Sequence, residues 1–92
     1  MVASNKKPRI NNCLRQCRKS MRYTQEDVAY MLGVRARAIS NWEREITHPS
    51  LANVLKLSYA YNRLVDHLYY DLSKTFRHEI KARKNKLFPP NE

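Results

Sequence analysis

The sequence predicts an all-α fold, a small five-helix domain with a helical C-terminal extension. Its 92 residues suffice for one domain with a single modest core. They include one glycine and four prolines, which are too few turn residues for a β-sandwich or β-barrel. Apolar residues also recur at intervals of three and four positions, the spacing of one face of an α-helix.

The first two predicted helices are bounded by residues with recognisable roles. The first runs from about Ile10 to Met21, on the spacing of its apolar residues. The second follows Thr24, whose hydroxyl can accept a hydrogen bond from the backbone N–H of Asp27 while the Asp27 carboxylate reaches back, as in a capping box. It ends at Gly33, because a residue with left-handed backbone conformation is a common helix terminator.

The third predicted helix, Ala36 to Arg44, has two chemically different faces when it is wound at about 100° per residue. Ala38, Ile39 and Trp42 fall on the apolar side and predict contact with the core. The opposite side is polar except for its first residue, and it consists of Ala36, Arg37, Ser40, Asn41 and Arg44. A polar outward stripe of this kind indicates a surface that contacts a ligand or solvent.

Two further helices follow. Ser50 caps the fourth, and Asn62 is a plausible left-handed terminator for it. We expect its inner face to consist of Leu51, Val54, Leu55, Leu57 and Ser58. The fifth is predicted to start near Val65 and to continue without a break into the extension, with apolar residues at intervals of four, namely Leu68, Leu72, Phe76 and Ile80.

The formal net charge of +10 is unevenly distributed. Residues 6–22 carry seven cations and no acid, and residues 74–86 carry six cations and one acid. Such a balance favours a polyanionic partner, either nucleic acid or an anionic membrane surface, and we favour nucleic acid. We expect a flexible basic arm over 1–8, the domain over 9–72 and a basic amphipathic extension with a frayed end over 73–92. Neither a membrane span nor a signal peptide is recognisable, which predicts a cytoplasmic protein.

Two short helices joined by a tight glycine turn, the second with a polar outer face, form a helix-turn-helix. The string from Leu14 to Tyr61 contains TQE, the triad Ala29, Gly33 and Ile39, the pair WE and the string PSL. In this order and spacing they resemble the Cro/C1-type (XRE) family of DNA-binding domains, which includes the lambdoid phage repressors. The resemblance covers about residues 10–72 and implies a lambda-repressor-like fold. In it Ala29 allows the two helix axes to cross closely, while Ile39 and Trp42 root the second motif helix in the core.

The resemblance also implies residue roles in binding double-stranded DNA. Base contacts in the major groove would come from Ala36, Arg37 and Asn41. Arginine suits guanine O6 and N7, asparagine suits adenine N6 and N7, and alanine can pack on a thymine methyl. Phosphate contacts would come from Thr24, Gln25, Arg35, Ser40 and Arg44. Arg18 and Glu43 match a family pair that forms a partly buried ion pair between the first helix and the recognition helix.

The chain departs from the family at three positions. Arg22 and Glu45 stand where the family often has glycine, before the capping segment and after the WE pair. Arg35 stands where a serine or threonine usually caps the recognition helix. These departures concern the turns around the motif, and the second of them bears on the loop over 44–49.

We therefore expect a transcriptional regulator, more specifically a repressor, that binds DNA as a homodimer. The rival interpretation is an antitoxin or antirepressor, a protein-interaction module on the same fold. Candidate residues for a dimer or partner contact are Tyr69, Leu72, Phe76 and Ile80. We expect no enzyme activity, cofactor or metal, because the three histidines are isolated and Cys13 and Cys17 are interpreted as packing residues.

Overall fold

The computed structural model describes residues 12–91, and this part of the chain is all-helical with no strand. The all-α prediction is therefore confirmed. The basic arm expected over 1–8 and the predicted start of the first helix at Ile10 lie outside the described residues. The helices are α1 (Leu14–Ser20), α2 (Gln25–Leu32), α3 (Ala36–Glu43), α4 (Leu51–Tyr61), α5 (Val65–Leu68) and α6 (Tyr70–Leu87).

The first four helices all end at a residue with left-handed backbone conformation. In each case the N–H of the next residue donates to the carbonyl five positions earlier, at 2.9–3.3 Å, which is the arrangement of a Schellman motif. The left-handed residues are Arg22 (φ 63°), Gly33 (φ 75°), Glu45 (φ 65°) and Asn62 (φ 55°). At Gly33 an added Cβ would meet no heavy atom within 4 Å. The need for glycine there is therefore one of backbone conformation and not of space.

The hydrophobic core lies between α1, α2, α3, α4 and α5. Its buried residues are Leu14, Cys17, Val28, Ala29, Leu32, Ile39, Trp42, Leu57, Tyr61 and Leu68. Helix α2 packs against both α3 and α4, while α1 contacts α3 and α4 contacts α5. Both cysteines are free thiols, and Cys17 belongs to this core while Cys13 packs against it. Burial raises the pKa of the Cys17 thiol.

The expected inner face of α4 is partly wrong. Leu51 and Leu55 are 76% and 55% exposed, whereas Leu57 and Tyr61 are each 1% exposed. Because eight of the 11 residues of α4 are apolar and they lie on nearly all sides of the helix, its sequence marks no unique inner face. Its packing against α2 and α5 selects the side that carries Leu57 and Tyr61.

The predicted fifth helix is divided in two at Tyr69, which has φ −128° and ψ 51°. A continuous helix would use the carbonyl of Leu68 to accept a hydrogen bond from the N–H of Leu72. Instead that carbonyl accepts a hydrogen bond from the N–H of Cys13 at 2.8 Å. A tertiary contact with the start of α1 therefore coincides with the break, and the chain resumes as α6 at Tyr70.

Helix α6 extends away from the core. It packs against α5, and none of its 18 residues is buried. The radius of gyration, 16.5 Å, exceeds the roughly 12 Å typical of a compact domain of this length. The structure therefore consists of a packed body, residues 14–68, and an exposed C-terminal helix.

Candidate nucleic-acid interface

Helices α2 and α3 form the helix-turn-helix. Thr24 begins α2 with the predicted capping box: the N–H of Asp27 donates to Thr24 Oγ1 at 3.0 Å, and the N–H of Thr24 donates to Asp27 Oδ2 at 2.8 Å. Gly33 ends α2, with its own N–H and that of Val34 both donating to the carbonyl of Ala29. Because both ends of α2 are fixed by hydrogen bonds, the turn holds α3 at a defined angle.

Helix α3 buries one side and presents the other. Ile39 is 1% exposed and Trp42 is 7% exposed, so this side anchors the helix in the core. On the other side Arg37 is exposed and has no hydrogen bond or ion pair to any residue in 12–91. Its guanidinium is therefore available to a ligand. Asn41 lies one turn further along the same side and is half-buried.

Arg44, at the end of α3, folds back along this outward side. Its Nε donates to Ser40 Oγ at 3.2 Å, and its NH2 group donates to Asn41 Oδ1 at 3.1 Å. The outward side therefore carries a hydrogen-bonded cluster of Ser40, Asn41 and Arg44. The periodicity of α3 places these residues on one side but does not reveal their mutual hydrogen bonds.

The ion pair expected between Arg18 and Glu43 is present. Arg18 Nε donates to Glu43 Oε2 at 2.6 Å and its NH2 group donates to Oε1 at 3.2 Å, while NH1 donates to the carbonyl of Tyr23 at 2.9 Å. The two side chains are only 10% and 3% exposed. The hydrogen bond to Glu43 raises the pKa of the Arg18 guanidinium. Because Glu43 belongs to α3, this bidentate contact ties α3 to α1.

Gln25 joins the same cluster. Its Nε2 donates to Glu43 Oε1 at 3.1 Å, which orients the amide with its nitrogen toward the carboxylate. One N–H of that amide is thereby used within the protein, and the other N–H and the carbonyl oxygen remain. Gln25 stands at the first position of α2, so the cluster connects the end of α1, the start of α2 and the end of α3.

A comparison with protein families agrees with this geometry: the family model described as helix-turn-helix matches residues 14–68. The match spans more than half of the chain and includes all of α1 to α5. The chain belongs to the Cro/C1-type helix-turn-helix (XRE) family. It is a helix-turn-helix DNA-binding regulator. A search of curated protein sequences finds no match.

The two positions where the family often has glycine both need a left-handed backbone here. Arg22 and Glu45 have φ of 63° and 65°, so each adopts a conformation that glycine accommodates without strain. The turns of this family member are therefore preserved although the glycines are replaced. The third departure, Arg35, has the extended backbone of a helix N-cap but no side-chain capping hydrogen bond.

Asn12, which helical periodicity did not identify, connects the start of α1 to the end of α3, the recognition helix. Asn12 Nδ2 donates to the carbonyl of Trp42 at 3.0 Å, and the N–H of Asn12 donates to Glu45 Oε2 at 3.3 Å. Its Oδ1 accepts a hydrogen bond from the N–H of Leu14 at 3.0 Å. No signal in the sequence singled out this asparagine, because its partners Trp42 and Glu45 lie 30 and 33 residues away.

The candidates for a dimer or partner contact separate into two groups. Tyr69 is half-buried and packs against the core of the body, and burial raises the pKa of its hydroxyl, with Glu45 adding to the shift. Phe76 and Ile80 on α6 are 51% and 52% exposed, with Leu72 half-buried beside them. An apolar cleft next to α6 is lined by Val54, Val65, Tyr69, Leu72 and Phe76 among others.

Within residues 12–91, no helix is both long enough and apolar enough to cross a membrane. In the same part of the chain, the histidine, cysteine and carboxylate side chains form no cluster suited to holding a metal ion.

Proposed function

We propose that this protein is a sequence-specific transcriptional repressor that binds double-stranded DNA as a homodimer and reads the major groove with α3. One observation carries the proposal: α3 anchors Ile39 and Trp42 in the core, while its opposite side presents Arg37, which has no partner within residues 12–91, beside Asn41. We assign the DNA-binding domain to residues 9–72, with 1–8 as a basic arm and 73–92 as an extension.

The base contacts come from the N-terminal half and middle of α3. Arg37 can donate two hydrogen bonds to one guanine, at O6 and N7, and such a pair discriminates against other bases by about 1–3 kcal/mol. Asn41 lies on the same stripe and contacts a neighbouring base. Ala36 packs partly against the core, so only part of its methyl surface is available to a thymine methyl.

Phosphate contacts flank the reading stripe, which consists of the base-contacting residues Ala36, Arg37 and Asn41. The first turn of α2 has the positive end of the helix dipole, and Thr24 and Gln25 stand there. The N–H of Gln25 that is not bonded to Glu43 can donate to a phosphate oxygen. Arg35 and Ser40 stand beside the reading stripe on α3, and Arg44 adds a further cation there. These contacts orient the domain on the duplex but carry no direct sequence information.

Arg18 and Glu43 act as positioning residues. Their bidentate pair is almost fully buried, so it sets the angle between α1 and α3 without reaching the ligand itself. Through Gln25 the same carboxylate also fixes a phosphate contact relative to the reading helix. We infer that the network aligns base-contacting and phosphate-contacting groups with one another.

The exposed apolar residues of α6 support dimerisation. Phe76 and Ile80 are half-exposed and Phe76 lines the apolar cleft, and a second copy of the chain would cover both side chains. A two-fold dimer of helix-turn-helix domains reads two half-sites about one turn of DNA apart. The same exposed residues are the observation that favours the alternative function, capture of a partner protein by an antitoxin or antirepressor.

The test is selection of bound sites from a randomised duplex library at near-physiological salt. The intact protein should recover a palindromic motif with half-sites about 10 base pairs apart. Arg37→Ala and Asn41→Ala should each relax the motif at a different base position. Arg83→Ala removes an equal charge from the exposed part of α6, so this matched control should weaken binding without relaxing any position.

Site selection can also reject the proposal. If no sequence is enriched and binding only fades as salt rises, the interaction is charge attraction alone. The proposal would then be wrong, and capture of a protein partner would become the leading function.

A further inference from the structure

The outward side of α3 offers mainly hydrogen-bond donors, because its acceptor oxygens already accept from the Arg44 guanidinium. Arg37 contributes a guanidinium that has no partner within residues 12–91. Ser40 Oγ already accepts from Arg44 Nε, which leaves its hydroxyl hydrogen to donate. Asn41 Oδ1 accepts from Arg44, which leaves the Asn41 NH2 group to donate. The one carboxylate of α3, that of Glu43, is turned inward onto Arg18 and Gln25.

We propose that Arg44 positions the amide of Asn41 and thereby makes the recognition helix selective for keto bases, with guanine opposite Asn41. The inference rests on the proposed function, because it concerns which bases the reading stripe accepts. It reassigns Arg44 from a phosphate contact to a residue that determines specificity through its neighbour.

The reason lies in the chemistry of the two purines. Adenine presents one acceptor, N7, and one donor, the N6 amino group, whereas guanine presents two acceptors, N7 and O6. An asparagine reads adenine by donating to N7 and accepting from N6. Here the accepting oxygen already accepts one hydrogen bond from a guanidinium nitrogen at 3.1 Å. One lone pair of the oxygen remains, but an adenine amino group that donated to it would approach a cation.

Guanine presents only acceptors, N7 and O6, so it brings no amino group toward the Asn41 oxygen and Arg44. The NH2 group of Asn41 donates to N7 or O6, and the neighbouring Arg44 adds positive potential next to the same acceptors. The low dielectric of a water-excluded groove strengthens this preference, since charge–dipole interactions are less screened there. Thymine, which presents the O4 acceptor and a methyl group, is the second base that fits a surface offering mainly donors.

The experiment compares site selection by the intact protein with selection by Arg44→Met, whose side chain is of similar length but carries no charge and no donor. Asn41→Ala, run in parallel, identifies the base position that Asn41 contacts. At that position the intact protein should favour guanine over adenine by about tenfold or more. In Arg44→Met the Asn41 oxygen is released, so the preference should reverse toward adenine.

Arg37→Met serves as the control, because it should relax a different position and leave guanine preferred opposite Asn41. Fluorescence anisotropy on duplexes that differ only at this base pair measures the same reversal as a ratio of dissociation constants. A purely structural role of Arg44 would not exchange one base preference for another.

Two results would overturn the inference while leaving the proposed function intact. One is adenine opposite Asn41 in the motif of the intact protein. The other is an Arg44→Met motif that is unchanged and merely bound more weakly, with a salt dependence shallower by about one unit, as expected for a lost phosphate contact. Absence of any motif with the intact protein would instead reject both proposals together.

Discussion

The body of the protein, residues 14–68, and the C-terminal helix α6 are both helical, but they differ in what covers their apolar side chains. Every buried apolar residue of the described chain lies in the body, including Trp42 at 7% and Tyr61 at 1% exposure. Helix α6 has a comparable apolar stripe, yet Phe76 and Ile80 remain half-exposed. Helical periodicity therefore predicts a helix with an apolar face, but it does not predict what that face contacts.

The largest expected effect tests this difference directly. Trp42→Ala should lower the free energy of unfolding by about 3–5 kcal/mol, because it leaves a cavity between α3 and the core. Phe76→Ala, which truncates an aromatic ring on α6, should lower the free energy of unfolding of the isolated monomer by less than about 1 kcal/mol, because half of the ring is already exposed. Urea denaturation at low protein concentration measures both. Equal losses would mean that α6 belongs to the cooperative core.

The next comparison concerns ion pairs. Glu43→Ala should lower the free energy of unfolding by about 3 kcal/mol, because it leaves the nearly buried Arg18 without its carboxylate. The ion pair between Arg77 of α6 and Asp66 has a nitrogen–oxygen distance of 3.7 Å and is mostly exposed. Asp66→Asn should therefore change the free energy of unfolding by less than about 0.5 kcal/mol. The same denaturation experiment applies. A loss below about 1 kcal/mol for Glu43→Ala would show that α1 and α3 are held mainly by apolar packing.

A smaller effect comes from a tyrosine hydroxyl. Tyr61 is buried, and its hydroxyl has no hydrogen-bond partner within the described residues. Tyr61→Phe should therefore raise the free energy of unfolding by up to about 1 kcal/mol at neutral pH, since an unpaired polar group leaves the core. Tyr70→Phe on α6 alters a side chain that is 52% exposed and should have no measurable effect.

The buried Tyr61 hydroxyl also gives the stability a pH dependence with a defined sign. Burial raises the pKa of Tyr61 in the folded state, so above pH about 10 the unfolded chain loses this proton while the folded chain retains it. The free energy of unfolding should therefore decrease as pH rises from about 10. Tyr61→Phe should make this decrease shallower. An unaltered alkaline slope in Tyr61→Phe would contradict burial of the hydroxyl.

The smallest expected effect lies in the left-handed turns, which follow the first four helices but neither α5 nor α6. Arg22→Gly should raise the free energy of unfolding by about 0.5–1 kcal/mol, because glycine adopts the φ of 63° without steric strain. Arg22→Ala removes the same charge but keeps the Cβ, so it should give no such gain. If both variants behave alike, the charge of Arg22 and not its backbone determines the effect.

The turns also show how far residue types could be read from the sequence. Gly33 predicted a left-handed helix end, and Asn62 predicted a second, because both residue types favour that conformation. Arg22 and Glu45 end helices in the same way, but their side chains carry no such preference. Only comparison with the family's glycines indicated these positions. The conformation there is imposed by the helices that the turns must join.

The outward side of α3 was largely predictable, because helical winding depends only on residue spacing within the helix. Helical winding places Ile39 and Trp42 opposite Arg37 and Asn41 whatever the surroundings, so the two sides of α3 follow from spacing. The hydrogen bonds of Arg44 to Ser40 and Asn41 do not, because several rotamers of a long side chain satisfy the same spacing. The assignment of bases to these residues stays a prediction.

The sequence by itself determined the helices, most of their ends and the helix-turn-helix, since capping, backbone preference and apolar spacing act within a few residues. The tertiary structure decided which side of α4 is buried, because that helix is apolar nearly all round. It also decided the break at Tyr69, where the N–H of Cys13 takes the carbonyl that a continuous helix would need. Both outcomes depend on contacts between segments far apart in the chain, and such contacts leave no periodic signal.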